Sequence, residues 1–408
     1  MNILFYVEPV SFQDNHLFFS PIMNIIRCII NANQFDNIKF GIATNESLFR
    51  EYNRWLSYGG QISTYRKLVN EVDILEQFNF DFNLYAKNLF FGGEPVYTVD
   101  KIFQDIEREF APDVIVCFTQ NSTLEKFSND KLVLFCERGP LPRWNGKDNF
   151  YFEHNSHQVR SILNRRISDI INYDSKYTSN ILELFGMYNH RMPQKSDASA
   201  YFKEWIDRKR QGKNVALIAN QPHNSIIVSG AAGGASTTSF MMRTLHKLPS
   251  DWIAVATYHP DMGRCSELDS RLSSDFSNIF TIPDELKQFS SEAFLECVDA
   301  VITIGSKVAL SAALTGKRVV SEKGTMFSGI SGQDVIHLDT IKPFSDNEAG
   351  NILKFLSNRY VISYEDLFEK SGYFVSHIEN MKKHGDIDDF FLDRSNWNLS
   401  CLKKMYGE

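Results

Sequence analysis

The 408-residue sequence is poor in the features that place a protein at sight. It has only six cysteines (Cys28, Cys117, Cys136, Cys265, Cys297 and Cys401), with no CxxC pair and no histidines at ligand spacing. That pattern argues against a structural zinc and for a reducing compartment, with Cys117 and Cys136 expected as buried thiols in apolar runs. No apolar stretch reaches about 18 residues, so no membrane segment is expected. The start of the chain has neither a basic n-region nor a cleavage site, and a cytoplasmic protein is the expectation. Excess positive charge is absent too: Lys and Arg number 43 against 50 Asp and Glu, a net charge of −7. Nucleic acid is thereby disfavoured as the main partner, although a local basic pocket is compatible with it. There is no repeat, no low-complexity tract and no usable GxGxxG. The nearest glycine run, Gly230–Gly234, lacks an acidic residue at ribose distance, so NAD is disfavoured. No Walker lysine follows a glycine loop. Asp386-Ile387-Asp388 spells a DxD, but in an acidic tail rather than between strands, which speaks against a metal there.

What is present is ordinary in bulk and rich in rings: 43% hydrophobic and 23% charged residues, with 33 Phe, 16 Tyr and 5 Trp. The chain is too long for one core of common size, and two domains are the default. The clearest local pattern is Asp299–Val320. It predicts a buried strand (Ala300–Ile304), a turn, a helix (Val308–Leu314), a stop at Gly316 and a second strand (Arg318–Ser321). That is a right-handed βαβ unit. Its turn, Gly305-Ser306-Lys307, offers backbone N–H groups, a hydroxyl and a cation at a helix start, suited to a phosphate or carboxylate. An ordinary βα turn with an exposed lysine fits the same residues equally well.

In chain order, a strand at Asn2–Val7 leads into a polar loop to His16, a helix at Pro21–Ala32 and a strand at Ile38–Ala43. Asp14 and His16 lie in a loop at the carboxyl edge, where open α/β sheets bind ligands. They are candidates for contacting a substrate, or simple loop caps. Residues 45–110 read as mostly helical, and strands follow at Asp113–Phe118 and Leu132–Cys136. Ser156–Ile171 reads as one helix carrying Arg160, Arg165 and Arg166, and Tyr188–Ser199 as a linker. The second half offers strands at Lys213–Asn220 and Trp252–Thr257 around a glycine-rich loop, Gly230–Thr238. The expected division is a Rossmann-like acceptor domain over 1–200, a Rossmann-like donor domain over 201–370, and a helical segment over 371–408 packing back on the first domain.

Two Rossmann-like domains facing across a central cleft make an α/β fold of the GT-B class. That leaves a glycosyltransferase, an epimerase or a two-domain binding protein. Several short motifs narrow the choice. They are Glu137-x-Gly139-x-Leu141-Pro142 then Asn155-Ser156, Gln221-x-x-Asn224-Ser225, His259-Pro260, and Gly305-Ser306 followed by Ala312-x-Leu314-x-Gly316-Lys317 and Val319. Taken in order, over about residues 130–325, they resemble the bacterial capsule-polysaccharide β-Kdo transferases. The resemblance is closer to the β-Kdo transferase module of some O-antigen synthases.

That resemblance implies a retaining transfer of 3-deoxy-manno-octulosonic acid (Kdo) from CMP-Kdo to a glycan acceptor hydroxyl, without a cofactor or a metal. It implies that His259 and Pro260 hold the CMP phosphate and ribose, and that Ser306 and Lys307 hold the phosphate or the sugar carboxylate. Gly305, Gln221, Asn224, Ser225, Gly233, Gly234 and Arg138 complete the expected binding set. Lysine and histidine can neutralise a leaving phosphate in place of a metal. Retention by double displacement needs a carboxylate nucleophile, expected on the glycine-rich loop. Ala232 stands in that position, so a substituted, inactive chain is one reading; a loop that only binds phosphate is the other.

Glu137, Glu153 and Gln158 remain for acid–base work. Glu137 is favoured for activating the acceptor, against a salt bridge to Arg138 or Arg143, while Gln158 could only orient a substrate or mark another altered position. The arginine cluster is expected mainly to solvate a helix face. The implied partners are a lipid-linked glycan acceptor and other modules of a polysaccharide synthase, through which the chain would sit at the inner membrane. The alternatives are a sialyltransferase-like enzyme for another CMP-sugar, or a non-catalytic nucleotide- or glycan-binding module.

Overall fold

The computed structural model describes residues 1–10, 15–32, 36–56, 64–141, 149–154, 158–173, 193–222, 225–233, 235–259, 266–363 and 373–384. The chain forms two compact units. Unit 1 takes in residues 1–139, 143–162 and 357–408, and unit 2 takes in 140–142 and 163–356. The main division thus falls at 162/163 and 356/357, where the sequence suggested 200/201 and 370/371.

The first six strands belong to unit 1: β1 (Asn2–Tyr6), β2 (Lys39–Thr44), β3 (Tyr65–Leu68), β4 (Val114–Cys117), β5 (Leu132–Arg138) and β6 (Asn149–Glu153). Their order is β3-β2-β1-β4-β5-β6, with the short strand Ile362–Ser363 added beyond β6. The first five pair in parallel and β6 is antiparallel to β5. Spatial order 3-2-1-4-5 is the doubly wound Rossmann order. The central strands can be apolar without alternation because helices cover both faces; every residue of β4 is buried, and so are Ile3 to Tyr6 of β1. The C-terminal helix Tyr373–His384 places Phe374, Val375, Ile378 and Met381 in the core that holds Ile3, Phe5, Val116 and Phe152.

Unit 2 has β7 (Asn214–Ala219), β8 (Trp252–Thr257), β9 (Ile279–Thr281), β10 (Ala300–Thr303) and β11 (Arg318–Ser321), ordered β9-β8-β7-β10-β11 and parallel throughout. It repeats the 3-2-1-4-5 order. Fold class is therefore as expected: two Rossmann-like α/β units.

Several local expectations fail. The span 45–110 contains β3, whose alternation of half-buried and exposed residues is too short to register as a strand. β6 was not foreseen; it is a five-residue strand with three aromatic rings, and beside its pairing with β5 the Gly139 N–H donates to Asn149 O. A Cβ on Gly139 would lie 1.7 Å from Asn149 Oδ1, so only glycine fits there. In place of one helix at Ser156–Ile171 there are two single turns, Ile162–Arg165 and Ile167–Ile170, and 155–157 lie outside the described residues. The backbone is diverted by side chains: the Ile162 N–H donates to Glu153 Oε2 at 3.0 Å, and Asn164 accepts from the Gly329 N–H at 2.7 Å and donates to Thr325 O at 2.8 Å. The expected linker is helical from Pro193, which opens the helix Pro193–Arg210 at a position where its missing N–H costs nothing. Ala198, Phe202 and Ile206, spaced by four, bury one face of it, and Phe202 meets Phe294 with ring centroids 4.6 Å apart.

Candidate functional site

In unit 2 the strands end level. Ala219 of β7 pairs with Thr257 of β8 on one side and Thr303 of β10 on the other. All three strands run in one direction, so the turns that follow open at one carboxyl edge, with strand spacings of about 4.8 Å between neighbours. His259, Gln221 and Ser306-Lys307 are thus brought to the same edge, with the β8 and β10 turns flanking that of β7. His259 is exposed; Gln221, Ser306 and Lys307 are half-buried. Pro260, Asn224 and Gly234 lie outside the described residues.

The turn after β10 corrects one expectation. Its N–H groups are not open to an anion: Gly305 N–H donates to Gln221 Oε1 at 2.9 Å, and Ser306 N–H to Thr303 Oγ1 at 3.2 Å. Thr303 Oγ1 in turn donates to Ala219 O at 3.0 Å, and Thr237 Oγ1 to Gln221 O at 3.3 Å. Gln221 therefore ties the two turns across the switch point. Beside those N–H groups the turn carries the Ser306 hydroxyl, which accepts from the Val308 N–H at 3.5 Å, and the half-buried Lys307. Gly305 is close-packed: an added Cβ would sit 2.6 Å from Thr325 Cγ2 and 3.0 Å from Ile227 Cγ2.

The glycine-rich loop is shorter than the sequence suggests. Ser225 precedes a helix, Ile226–Ala231, that absorbs Gly230 and Ala231; burial of Ile226 and Val228 overrides their strand preference. Ala232 caps this helix, half-buried, with its N–H bonded to Val228 O at 3.2 Å. Gly233 follows at φ +64, a left-handed conformation that glycine adopts without strain. Ser236 then caps the helix Thr237–Lys247 by accepting from Ser239 N–H at 3.1 Å. Position 232 is thus the cap of a helix rather than part of a long loop.

In unit 1, Glu137 and Glu153 are both buried, and each is held by a tyrosine. Glu137 Oε2 accepts from Gln158 Nε2 at 3.0 Å and from Tyr151 OH at 3.3 Å. Glu153 accepts from Tyr360 OH as well as from the Ile162 N–H. Tyr151 and Tyr360 stack at 4.8 Å, and burial, with the two carboxylates close by, pushes both phenols well up from their ordinary value. Glu153 is fully buried. Glu137 lies two residues past the level of Cys117, near the carboxyl edge, and is 8% exposed. Gln158 orients this carboxylate, a role the sequence did not suggest. Arg138 ends β5, half-buried. In the arginine cluster, Arg160 pairs with Glu125 and Arg166 with Asp169. Asp14 and Asp386–Asp388 lie outside the described residues, as does the side chain of His16, whose backbone is in the helix Asn15–Ala32.

Sequence reasoning passed over two further residues at the switch points. Glu8 follows β1 and is 1% exposed; its carboxylate accepts from Tyr85 OH at 2.7 Å, Val10 N–H at 3.2 Å and Asn121 Nδ2 at 3.4 Å. Burial outweighs these bonds and raises its pKa to about 7. Asn220 follows β7 and is 6% exposed, and neither its Oδ1 nor its Nδ2 has a hydrogen-bond partner. The available signal was position: each is the first polar residue past a strand that borders a change in strand direction of winding.

No family model matches the chain, and no curated protein does. Among solved structures, it is similar to the β-Kdo 2,7 transferase of Thermosulfurimonas dismutans KpsC, at 14% identity over 90% of this chain and 97% of that one, with a TM-score of 0.44. It is also similar to the N-terminal domain of Candida albicans trehalose-6-phosphate phosphatase, at 9% identity over 94% and 97%, with a TM-score of 0.39. A third similar structure is the UDP-GlcNAc 2-epimerase of Neisseria meningitidis, at 13% identity over 79% and 82%, with a TM-score of 0.26. Likenesses of this size carry no chemistry over to this chain. Among the described residues, no helix is long and apolar enough to cross a membrane.

Proposed function

We propose that the chain is a glycosyltransferase module of the β-Kdo kind, in which unit 2 binds CMP-β-Kdo and unit 1 receives the glycan acceptor. The observation that carries the reading is the common carboxyl edge of β8, β7 and β10, which collects His259, Gln221, Ser306 and Lys307 in one row of turns. CMP-Kdo has two anionic groups, the phosphate and the sugar carboxylate. Lys307 and the Ser306 hydroxyl receive one of them, and His259 the other, with the ribose beside it. Lys307 supplies positive charge that balances the leaving phosphate, and Ser306 and His259 supply hydrogen-bonding groups. The order of motifs noted above supports Kdo over other acidic sugars.

Retention requires two displacements. A carboxylate attacks the anomeric carbon, the bond to the CMP oxygen breaks, and CMP leaves with the electron pair. The acceptor hydroxyl, losing its proton to Glu137, then displaces the carboxylate. Ala232 has no oxygen with which to begin, so this chain binds the donor and does not turn it over by that route. The same residue favours a second reading, a non-catalytic CMP-sugar-binding module. Transfer assays on Ala232→Asp with CMP-Kdo and a glycan acceptor separate the two: product supports the transferase, and bound but unreacted donor supports the binding module.

A further inference from the structure

The carboxamide of Asn220 is at odds with the polar groups beside it. It sits at the end of β7, the strand bordered by β8 and β10, and its backbone is orderly, with N–H donating to Thr257 O at 3.0 Å. Around it the polar groups are matched: Thr257 Oγ1 with Ser291 Oγ at 2.8 Å, Thr303 Oγ1 with Ala219 O, and Gln221 Oε1 with Gly305 N–H. Both polar atoms of Asn220 are buried and unmatched. A buried amide with neither half satisfied is costly, and native proteins keep very few. A residue of the same size without polar atoms would fill the position at no such cost.

We propose that Asn220 is a ligand-binding residue of unit 2, whose amide is completed by a neutral group of the bound molecule that both donates and accepts. Oδ1 can only accept and Nδ2–H can only donate. A phosphate or carboxylate would satisfy Nδ2 and set its charge against Oδ1, so the anionic parts of the ligand belong elsewhere, with Lys307 and His259. The complementary chemistry is a pyrimidine edge, a ribose hydroxyl or a hydroxyl of the transferred sugar. This inference rests on the nucleotide-sugar reading for the identity of the ligand, but the unmatched amide stands independently of it.

The test uses Asn220→Leu, close in volume, with thermal melting of the ligand-free protein and calorimetry first with CMP and then with intact CMP-Kdo. Removing an unmatched amide raises the Tm of the ligand-free protein by about 2 to 4 °C. Binding weakens about tenfold or more. Loss toward CMP itself places the contact on the nucleoside; loss confined to CMP-Kdo places it on the sugar. A lower Tm, meaning that the amide supports the fold, overturns the proposal, and so does unchanged affinity for both ligands. Asn220→Ala, which adds no bulk, decides the binding arm if leucine does not fit. Should the wild-type protein bind neither ligand, the nucleotide-sugar reading falls. The melting arm then judges Asn220 alone: a rise keeps it as the contact for a different neutral ligand, and a fall removes it.

Discussion

At the carboxyl edge of the first sheet, β1 and β4 run out into Glu8 and Asn121; at the same place in the second, β7 and β10 run out into Asn220 and Ser306. The topological position is identical and the chemistry is reversed. Unit 1 buries a carboxylate there and answers it with Tyr85, Asn121 and a backbone N–H. Unit 2 has no carboxylate in the described parts of the turns after β7, β8 and β10, and leaves its buried amide unanswered. The buried carboxylate at one switch point has its hydrogen bonds and the buried amide at the other has none. Strand order locates a candidate edge; hydrogen-bond satisfaction singles out the amide there that lacks a partner.

The strongest challenge to this contrast is catalytic. Ala232→Asp is expected to produce Kdo transfer, and adding Glu137→Gln to that variant to lower kcat/KM by about 10²- to 10⁴-fold with the fold retained, as circular dichroism would verify. Full activity of the double variant would remove Glu137 from the chemistry.

Next comes the closed edge. The folded protein holds the Glu8 proton up to about pH 7, whereas an unfolded chain releases it near 4.5. Between those values the folded state carries the extra proton, so stability falls as pH rises and levels off above the folded pKa. The loss is roughly 3 kcal/mol across that window. Denaturant melts of wild type and Glu8→Gln at pH 5 and pH 8 check this: the glutamine variant gives a flatter profile, and parallel profiles would show that Glu8 titrates normally.

Gly305→Ala probes the tie across the other edge. Its methyl meets Thr325 and Ile227, and a cost of about 1 to 3 kcal/mol is expected from urea midpoints. A neutral effect would mean the turn yields easily. The smallest effect belongs to Tyr85→Phe, which removes one bond to the ionised Glu8. About 1 kcal/mol is lost at pH 8 and less at pH 5, and the midpoint of the pH profile moves upward.

Much of the scaffold was legible because parallel strands buried on both faces leave continuous apolar runs. The helix Val308–Leu314 and strand Arg318–Ser321 lie where the pattern placed them. What escaped depends on distant partners. β6 is a strand because β5 pairs with it, and the break after Gln158 follows from Glu153 and Asn164 reaching backbone groups that no local pattern reveals. The same holds for the site. Residue types at 306 and 307 suggested an anion and the family resemblance added 259, but the use of Gly305 and Ser306 N–H groups by Gln221 and Thr303 is a tertiary fact. Glu8 and Asn220 look like ordinary loop residues until their burial is known.

The central claim is that the edge formed by β8, β7 and β10 holds a cytidine nucleotide, and titration calorimetry with CMP tests it most directly. One CMP per chain is expected, weakened about tenfold or more by Lys307→Ala and by His259→Ala and left unchanged by Glu8→Gln. Absence of binding, or binding indifferent to both unit 2 substitutions, would contradict it.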